Sequence, residues 1–322
     1  MHSPILSGIH HVTAIASDPQ RNLDFYTQTL GLRLVKLTVN YDDPGTYHFY
    51  FGDAQGRPGT LLTFFPWRHA HRGHQGTGQV IAIALAVPEH AVGYWRDRLQ
   101  RQGIGFVEEE RMGATVLAFA DSDGMTLELI AHAGTMPGSA WGHSEIPAEH
   151  AVRGVHSVTL SEEGYERTAR LLHETMGFRL TAEQGNRFRY EIGEGGAGAT
   201  VDLLCQPDAP PGTMGAGTVH HVAFRTPDDT HQNAWREQLR AEGYNVSPVM
   251  DRQYFHSIYY REPGGVLCEI ATDPPGFTVD EPLEALGTAL RLPAWLEPRR
   301  RVIEQIVAPL RLPHSTAGGT GQ

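Results

Sequence analysis

The chain repeats one pattern of apolar and polar positions four times. In each copy a short run of β-forming residues passes through a polar loop into a stretch with helically spaced apolar residues, and further strand-like runs follow. The opening runs are Gly8-Ile9-His10-His11-Val12-Thr13, Gln79-Val80-Ile81-Ala82-Ile83, Gly154-Val155-His156-Ser157-Val158 and Thr218-Val219-His220-His221-Val222. Each helical stretch is predicted to stop at a glycine before an apolar residue, at Gly31-Leu32, Gly103-Ile104, Gly177-Phe178 and Gly243-Tyr244. Glycine suits the left-handed conformation that commonly ends a helix. The intervals are nearly constant: 20 residues from His11 to Gly31, 21 from Ala82 to Gly103, 20 from Ser157 to Gly177 and 22 from His221 to Gly243. Each copy then closes on a strand that follows a glycine, the last being Gly265-Val266-Leu267-Cys268-Glu269.

The copies run 8–67, 78–132, 154–206 and 217–273, each read as a βαβββ module of an α+β protein. Residues 1–133 are expected to form an N-terminal half and 151–273 a C-terminal half, with the Gly- and Pro-containing stretch 134–150 linking them. The remainder, 274–322, reads as a tail with one helix at about 297–307 and a fraying end over 315–322.

Composition narrows the function classes. The 322 residues carry 26 basic against 37 acidic side chains, a net charge of −11 with His neutral, which argues against nucleic acid as a partner. There is no apolar run of membrane-spanning length and no signal-peptide pattern at the start. Cys205 and Cys268 are too few for a disulfide framework. A soluble, cytoplasmic protein is expected, with homo-oligomerisation left open. Eighteen histidines against two cysteines remain to be explained.

Stacking the modules compares one position in the first strand with one in the last: His11 and Thr63, Ala82 and Glu128, Ser157 and Asp202, His221 and Glu269. Only the outer modules place His at the first position, so pairing the first module with the fourth collects His11, His221 and Glu269. Two imidazoles and a carboxylate with open positions suit a non-haem Fe(II) centre that takes substrate and O2 together; Mn(II) fits the same ligands, and a closed Zn site fits less well. A lone His in an apolar strand is usually a packed core residue, but Glu269 lies in Val266-Leu267-Cys268-Glu269-Ile270-Ala271, where an unpaired carboxylate is costly. Strand alternation places His10 and His11 on opposite faces. His11 and His221 are therefore the ligand candidates, while His10 and His220 are left as acid/base candidates or packing residues. Glu128 and Asp202 lack His partners, and the inner half reads as metal-free, with these two carboxylates free to pair with each other.

At these residues the chain resembles the vicinal-oxygen-chelate superfamily of glyoxalases and extradiol dioxygenases, and more narrowly the ring-cleaving dioxygenases that open para-hydroquinones. The resemblance covers nearly the whole chain, through the opening HHVT element, Tyr47-His48-Phe49-Tyr50-Phe51-Gly52, Pro58-Gly59-Thr60, Gly185-Asn186-Arg187, Val219-His220-His221 and Pro263-Gly264-Gly265-Val266-Leu267-Cys268-Glu269. It implies the glyoxalase/bleomycin-resistance/dihydroxybiphenyl-dioxygenase fold, Fe(II) or sometimes Mn(II) on His11, His221 and Glu269, and supporting roles for His10, Thr13, His220, Arg252 and Tyr259. Gln253 and His256 fall outside the match, which leaves the ring substituents, chlorinated or alkylated, open. The implied partners are a small aromatic substrate and O2. Tyr259 is suited to hydrogen-bond a ligand oxygen and Arg252 to steady negative charge.

Two rivals share this scaffold. A glyoxalase-like lyase or isomerase usually brings more Glu or Gln to its site, where Thr63 stands here; a small-molecule-sequestering protein leaves the three ligand types unexplained. His69, His71 and His74, among Arg and Gly, read as a solvated loop. The Gly-rich runs at 193–198 and 212–217 have the wrong context for a phosphate loop, and no nucleophile elbow or P-loop is present.

Overall fold

The computed structural model describes residues 4–313, so the expected fraying over 315–322 lies outside the described residues. Strand, helix and three further strands recur four times. The first module holds β1 (Ile9–Ala16), α1 (Pro19–Asp24), β2 (Arg33–Asn40), β3 (Asp43–Gly52) and β4 (Leu61–Pro66). The second holds β5 (Gln79–Pro88), α2 (Val92–Arg101), β6 (Phe106–Arg111), β7 (Ala114–Ala120) and β8 (Thr126–His132). The third holds β9 (Val155–Glu162), α3 (Glu166–Arg170), β10 (Arg179–Gln184), β11 (Arg187–Glu191) and β12 (Thr200–Cys205). The fourth holds β13 (Thr218–Thr226), α4 (Asp229–Ala241), β14 (Met250–Asp251), β15 (Phe255–Arg261) and β16 (Leu267–Pro275), and a tail helix α5 (Arg300–Ile306) follows. The four helix-ending glycines, Gly31, Gly103, Gly177 and Gly243, all have positive φ, between 68° and 91°. A side chain there would strain the backbone.

The strands form two curled eight-stranded sheets, ordered β14-β15-β16-β13-β1-β4-β3-β2 and β10-β11-β12-β9-β5-β8-β7-β6. The outer modules thus share one sheet and the inner modules the other. Each sheet is built around an antiparallel seam of first strands: Val12 faces Val222 where β1 meets β13, and Ile83 faces Val158 where β5 meets β9. Every residue of β1 is buried, consistent with a central strand covered on both faces. The sheets touch closely at Gly8, where Ile9 N–H donates to the Gly198 carbonyl at 2.7 Å and a Cβ would meet that oxygen at 2.2 Å. The segment between the halves is packed down: Ser139 N–H donates to Asp53 at 3.0 Å, and the Arg33 guanidinium lies 4.3 Å from the Trp141 ring centroid.

A carboxylate pair sits where β9 meets the β15–β16 turn. Glu262 accepts from the backbone N–H groups of Gly264 and Val266 and from Thr168 Oγ1. Glu162 is fully buried, and neither of its oxygens has a hydrogen-bond partner. Burial, reinforced by the Glu262 charge, pushes the Glu162 carboxyl up to about 8. The folded state therefore holds a proton that the unfolded chain releases above about pH 4.5, and stability from this group falls as pH rises from there towards 8. Glu162→Gln is expected to melt close to the wild type at pH 5 and several degrees higher at pH 8, measured by thermal unfolding at both values.

Candidate metal centre

The site grows out of two irregularities in the β1–β13 seam. Ile9 faces Phe224 and His11 faces Ala223, so His10 is one extra residue on β1. Thr13 faces His221 and Ala14 faces Val219, so His220 is the matching extra residue on β13. Such bulges bend a strand and re-aim its side chains. The expected separation of His10 and His11 onto opposite faces therefore fails. The rings of each pair lie side by side, with Nδ1 to Nδ1 distances of 2.9 Å for His10 and His11 and 2.8 Å for His220 and His221. His10 also packs on Phe255, ring centroids 5.0 Å apart.

The bulges aim His11 and His221 at each other, with Nε2 atoms 3.3 Å apart. Glu269, on the neighbouring β16, brings Oε2 to 2.9 Å from His221 Nε2 and 3.4 Å from His11 Nε2, while its Oε1 accepts from Ser257 Oγ at 2.5 Å. All three side chains are buried, and their ligand atoms lie within 4.8 Å of one another, an arrangement able to hold a metal ion. Burial opposes ionisation of Glu269, yet His11 and His221 hold its carboxyl well below the usual range. Burial likewise lowers His10 and His221, and pushes His220 down to about 3, with His221 adding to the effect.

Around this cluster lies a cavity of about 20 Å³, whose walls include Thr13, Asn40, Tyr41, His48, Tyr50, Arg252, Phe255 and Tyr259. That is room for one water or ion. Arg252 Nε donates to the Tyr259 hydroxyl at 3.2 Å, and its Nη1 donates to Asp42 at 3.0 Å. Burial is the largest influence on both: it pushes the Tyr259 hydroxyl up, and it opposes the Arg252 charge, which Tyr259 and Asp42 nevertheless secure. Thr63, Thr13's partner in the β1–β4 register, bonds Thr13 through their hydroxyls at 2.7 Å and does not line the cavity. The structure thus brings His10, His11, Thr13, His220, His221, Arg252, Tyr259 and Glu269 into one place.

His48, Tyr50, Ser257 and Phe255 were given no role from the sequence. The available signal was strand alternation: His48 and Tyr50 stand two apart on β3 between core residues Phe49 and Phe51, as Phe255, Ser257 and Tyr259 do on β15. His69, His71 and His74 are exposed.

The inner sheet repeats the same bulges. Ile81 and His156 are its extra residues, but Ala82 and Ser157 follow them in place of ligand histidines. Glu128 and Asp202 do not pair with each other as expected. Arg111 forks onto both Glu128 oxygens at 2.7 and 2.8 Å, and Arg189 forks onto Asp202 at 2.8 and 3.0 Å, with Arg187 adding a contact at 3.2 Å. The carboxylates are answered by guanidinium groups from β6 and β11, a bidentate geometry that suits buried carboxylates.

Paired βαβββ modules around a buried His-His-Glu cluster define a protein of the metal-chelating glyoxalase fold. The profile of the Glyoxalase/Bleomycin resistance protein/Dioxygenase superfamily matches residues 8–129 and 154–279; the chain belongs to this superfamily. It is 45 % identical over 305 residues, covering 95 % of this chain and 97 % of the relative, to the "Putative ring-cleaving dioxygenase MhqO" of Bacillus subtilis strain 168. It is 36 % identical over 299 residues, 91 % and 93 % of the two chains, to the chlorohydroquinone/hydroquinone 1,2-dioxygenase of Sphingobium indicum. The crystal structure of a "putative dioxygenase from Bacillus subtilis subsp. subtilis str. 168" superposes with a TM-score of 0.92 at 44 % identity, covering 96 % of this chain and 99 % of that one.

The inner cluster makes a stability prediction. Arg111→Leu strips Glu128 of both its guanidinium bonds, and a buried ion pair broken on one side costs about 3–5 kcal/mol. Denaturant unfolding is expected to show a loss of that order, with the Arg111→Leu/Glu128→Leu double variant recovering most of it. Metal stoichiometry at the outer cluster is expected to stay unchanged.

Proposed function

We propose that this chain is a ring-cleaving dioxygenase that opens para-hydroquinone-like aromatics, chlorinated or alkylated ones included, with O2, using Fe(II), or alternatively Mn(II), on His11, His221 and Glu269. The observation that carries this reading is the convergence of two imidazole nitrogens and one carboxylate oxygen at a buried point. The donor set fits a divalent cation. Glu269 Oε2 is buried and forms no hydrogen bond although it lies 2.9 Å and 3.4 Å from the two imidazole nitrogens, so three ligand atoms converge out of reach of water. When bound, the metal supplies a Lewis acid with open positions for a phenolic oxygen and O2.

The remaining work falls to the chain's own groups. Ligation through Nε2 requires hydrogen on Nδ1 of His11 and His221, where His10 and His220 stand ready to accept it through their own Nδ1 atoms. This fixes the ligand tautomers and orientations. That bond uses the one acceptor nitrogen of each neutral outer ring, so His10 and His220 act here as positioning residues for the ligands and not as acceptors of a substrate proton. Tyr259 keeps its hydroxyl proton and bonds a ligand oxygen, while the charged Arg252 behind it steadies negative charge. Thr63 argues against the lyase reading, because its hydroxyl is occupied by Thr13 and His48 and adds no carboxylate to the cluster. A benzene-sized ligand fills a cavity of roughly 150 Å³, so substrate entry requires the walls of this small cavity to part. The net charge of −11 argues against nucleic acid as a partner, and no helix among the described residues is long and apolar enough to cross a membrane.

The test is anaerobic loading with Fe(II), addition of hydroquinone and admission of air. Equimolar O2 uptake with formation of a ring-opened product is expected. Tight hydroquinone binding without O2 uptake would favour a sequestering protein, and methylglyoxal–thiol turnover a lyase. Glu269→Gln is expected to lose stoichiometric metal and the rise in melting temperature that excess Fe(II) gives the wild type. His10→Ala and Tyr259→Phe are each expected to keep the fold while lowering turnover roughly 10–100-fold; unchanged turnover by the metal-loaded variants would remove the roles given to them.

A further inference from the structure

A continuous hydrogen-bond chain crosses three adjacent strands beside the metal cluster. The Tyr50 hydroxyl lies 2.9 Å from His48 Nδ1, His48 Nε2 lies 3.0 Å from Thr63 Oγ1, and Thr63 Oγ1 lies 2.7 Å from Thr13 Oγ1. Register explains the path, since Thr63 on β4 stands opposite both Thr13 on β1 and Tyr50 on β3. Both ends of the chain, Thr13 and Tyr50, line the cavity, as His48 does, while Thr63 sits behind them. Burial holds His48 neutral and the Tyr50 hydroxyl protonated.

A neutral imidazole has one donor nitrogen and one acceptor nitrogen, and each hydroxyl has one hydrogen. The chain therefore has two consistent directions. If Tyr50 donates to His48 Nδ1, then Nε2–H donates to Thr63 and Thr63 donates to Thr13. The Thr13 hydrogen is then free to point into the cavity, and the Tyr50 oxygen is left as an acceptor. In the reverse direction Tyr50 offers the hydrogen and Thr13 the lone pair. The two ends therefore never offer the cavity two donors at once.

We propose that this chain is a selectivity device, with His48 as the positioning residue that couples its two ends, and that it recognises an aromatic diol ionised at one oxygen only. Such a ligand offers an anionic oxygen at one end and an O–H at the other. The first direction complements it, with Thr13 donating to the anionic oxygen and Tyr50 accepting from the distal hydroxyl. An ionised phenol whose distal oxygen is methylated presents two acceptors, and the chain cannot answer both with donors. The inference rests on the hydroquinone reading above and adds to it the ionisation state that the site selects.

The experiment measures anaerobic dissociation constants of the Fe(II)-loaded protein for hydroquinone and for 4-methoxyphenol. The wild type is expected to favour hydroquinone at least tenfold, the order associated with one unmet buried hydrogen bond. Thr63→Val, close in shape to the native residue, interrupts the chain and is expected to bring the ratio to about twofold with metal content unchanged. His48→Phe is expected to do the same, and Thr63→Ser to keep the wild-type ratio. A steric objection to the methyl group would persist in every variant. Undiminished discrimination in metal-replete Thr63→Val and His48→Phe would therefore overturn the selectivity chain alone. If the wild type binds no hydroquinone, the hydroquinone reading falls and this inference falls with it.

Discussion

The geometry of the cluster depends on a mismatch in strand pairing. Where β1 meets β13, each strand carries one residue more than its partner can match, and the two mismatches are mirrored across the seam. A regular ladder would send His10 and His11 to opposite faces, and His220 and His221 likewise. The extra residues place four imidazoles along one seam, two aimed at a common point and two backing them. Glu269 reaches that point because β16 runs parallel beside β13 and sets the carboxylate next to the seam. Burial then raises the stakes. Three electron-rich atoms excluded from water are costly unless a cation joins them.

The inner sheet shows how the same backbone serves a different end. Its seam carries the equivalent bulges at Ile81 and His156, and its last strands carry the equivalent carboxylates, Glu128 and Asp202. What changed is the chemistry placed on that frame. Ala82 and Ser157 remove the imidazoles, and Arg111 from β6 with Arg187 and Arg189 from β11 supplies fixed positive charge. Guanidinium groups stay protonated under all ordinary conditions. One sheet thus meets its buried carboxylates with guanidinium groups, while the other sets its carboxylate against two imidazoles and the Ser257 hydroxyl.

Spacing made the modular plan legible, because the helix-ending glycines recur at regular intervals and each must adopt a backbone conformation that few other residues tolerate. The cluster was legible for a related reason: duplication places His11, His221 and Glu269 at equivalent positions, and equivalence stands in for proximity. The bulges were not. A bulge is a property of two strands in register, and β1 and β13 are more than two hundred residues apart, so single-strand alternation misplaced His10. Glu128 and Asp202 were misjudged on the same grounds, since their Arg partners come from β6 and β11, and which strands lie within reach follows from the sheet order. His48 and Tyr50 lay in a noted motif, but a hydrogen-bond path across β1, β4 and β3 needs the sheet order to become visible.

The strand order also bears on how the molecule comes into being. The modules pair like nested brackets, second with third and first with fourth. As a chain grows from its N-terminus, the inner sheet can close once β12 has emerged, whereas β1, buried along its whole length in the finished protein, has no seam partner until β13 appears. Through most of synthesis this apolar strand is an unpaired edge, the kind of surface that invites wrong associations. Its long-range closure is also the slow sort of contact to make. Glu269 emerges after every strand but its own is complete, so the three side chains of the cluster meet only at the end of synthesis. A nascent chain therefore cannot assemble half of this cluster, and the proposed ion has a place to bind only in the finished fold.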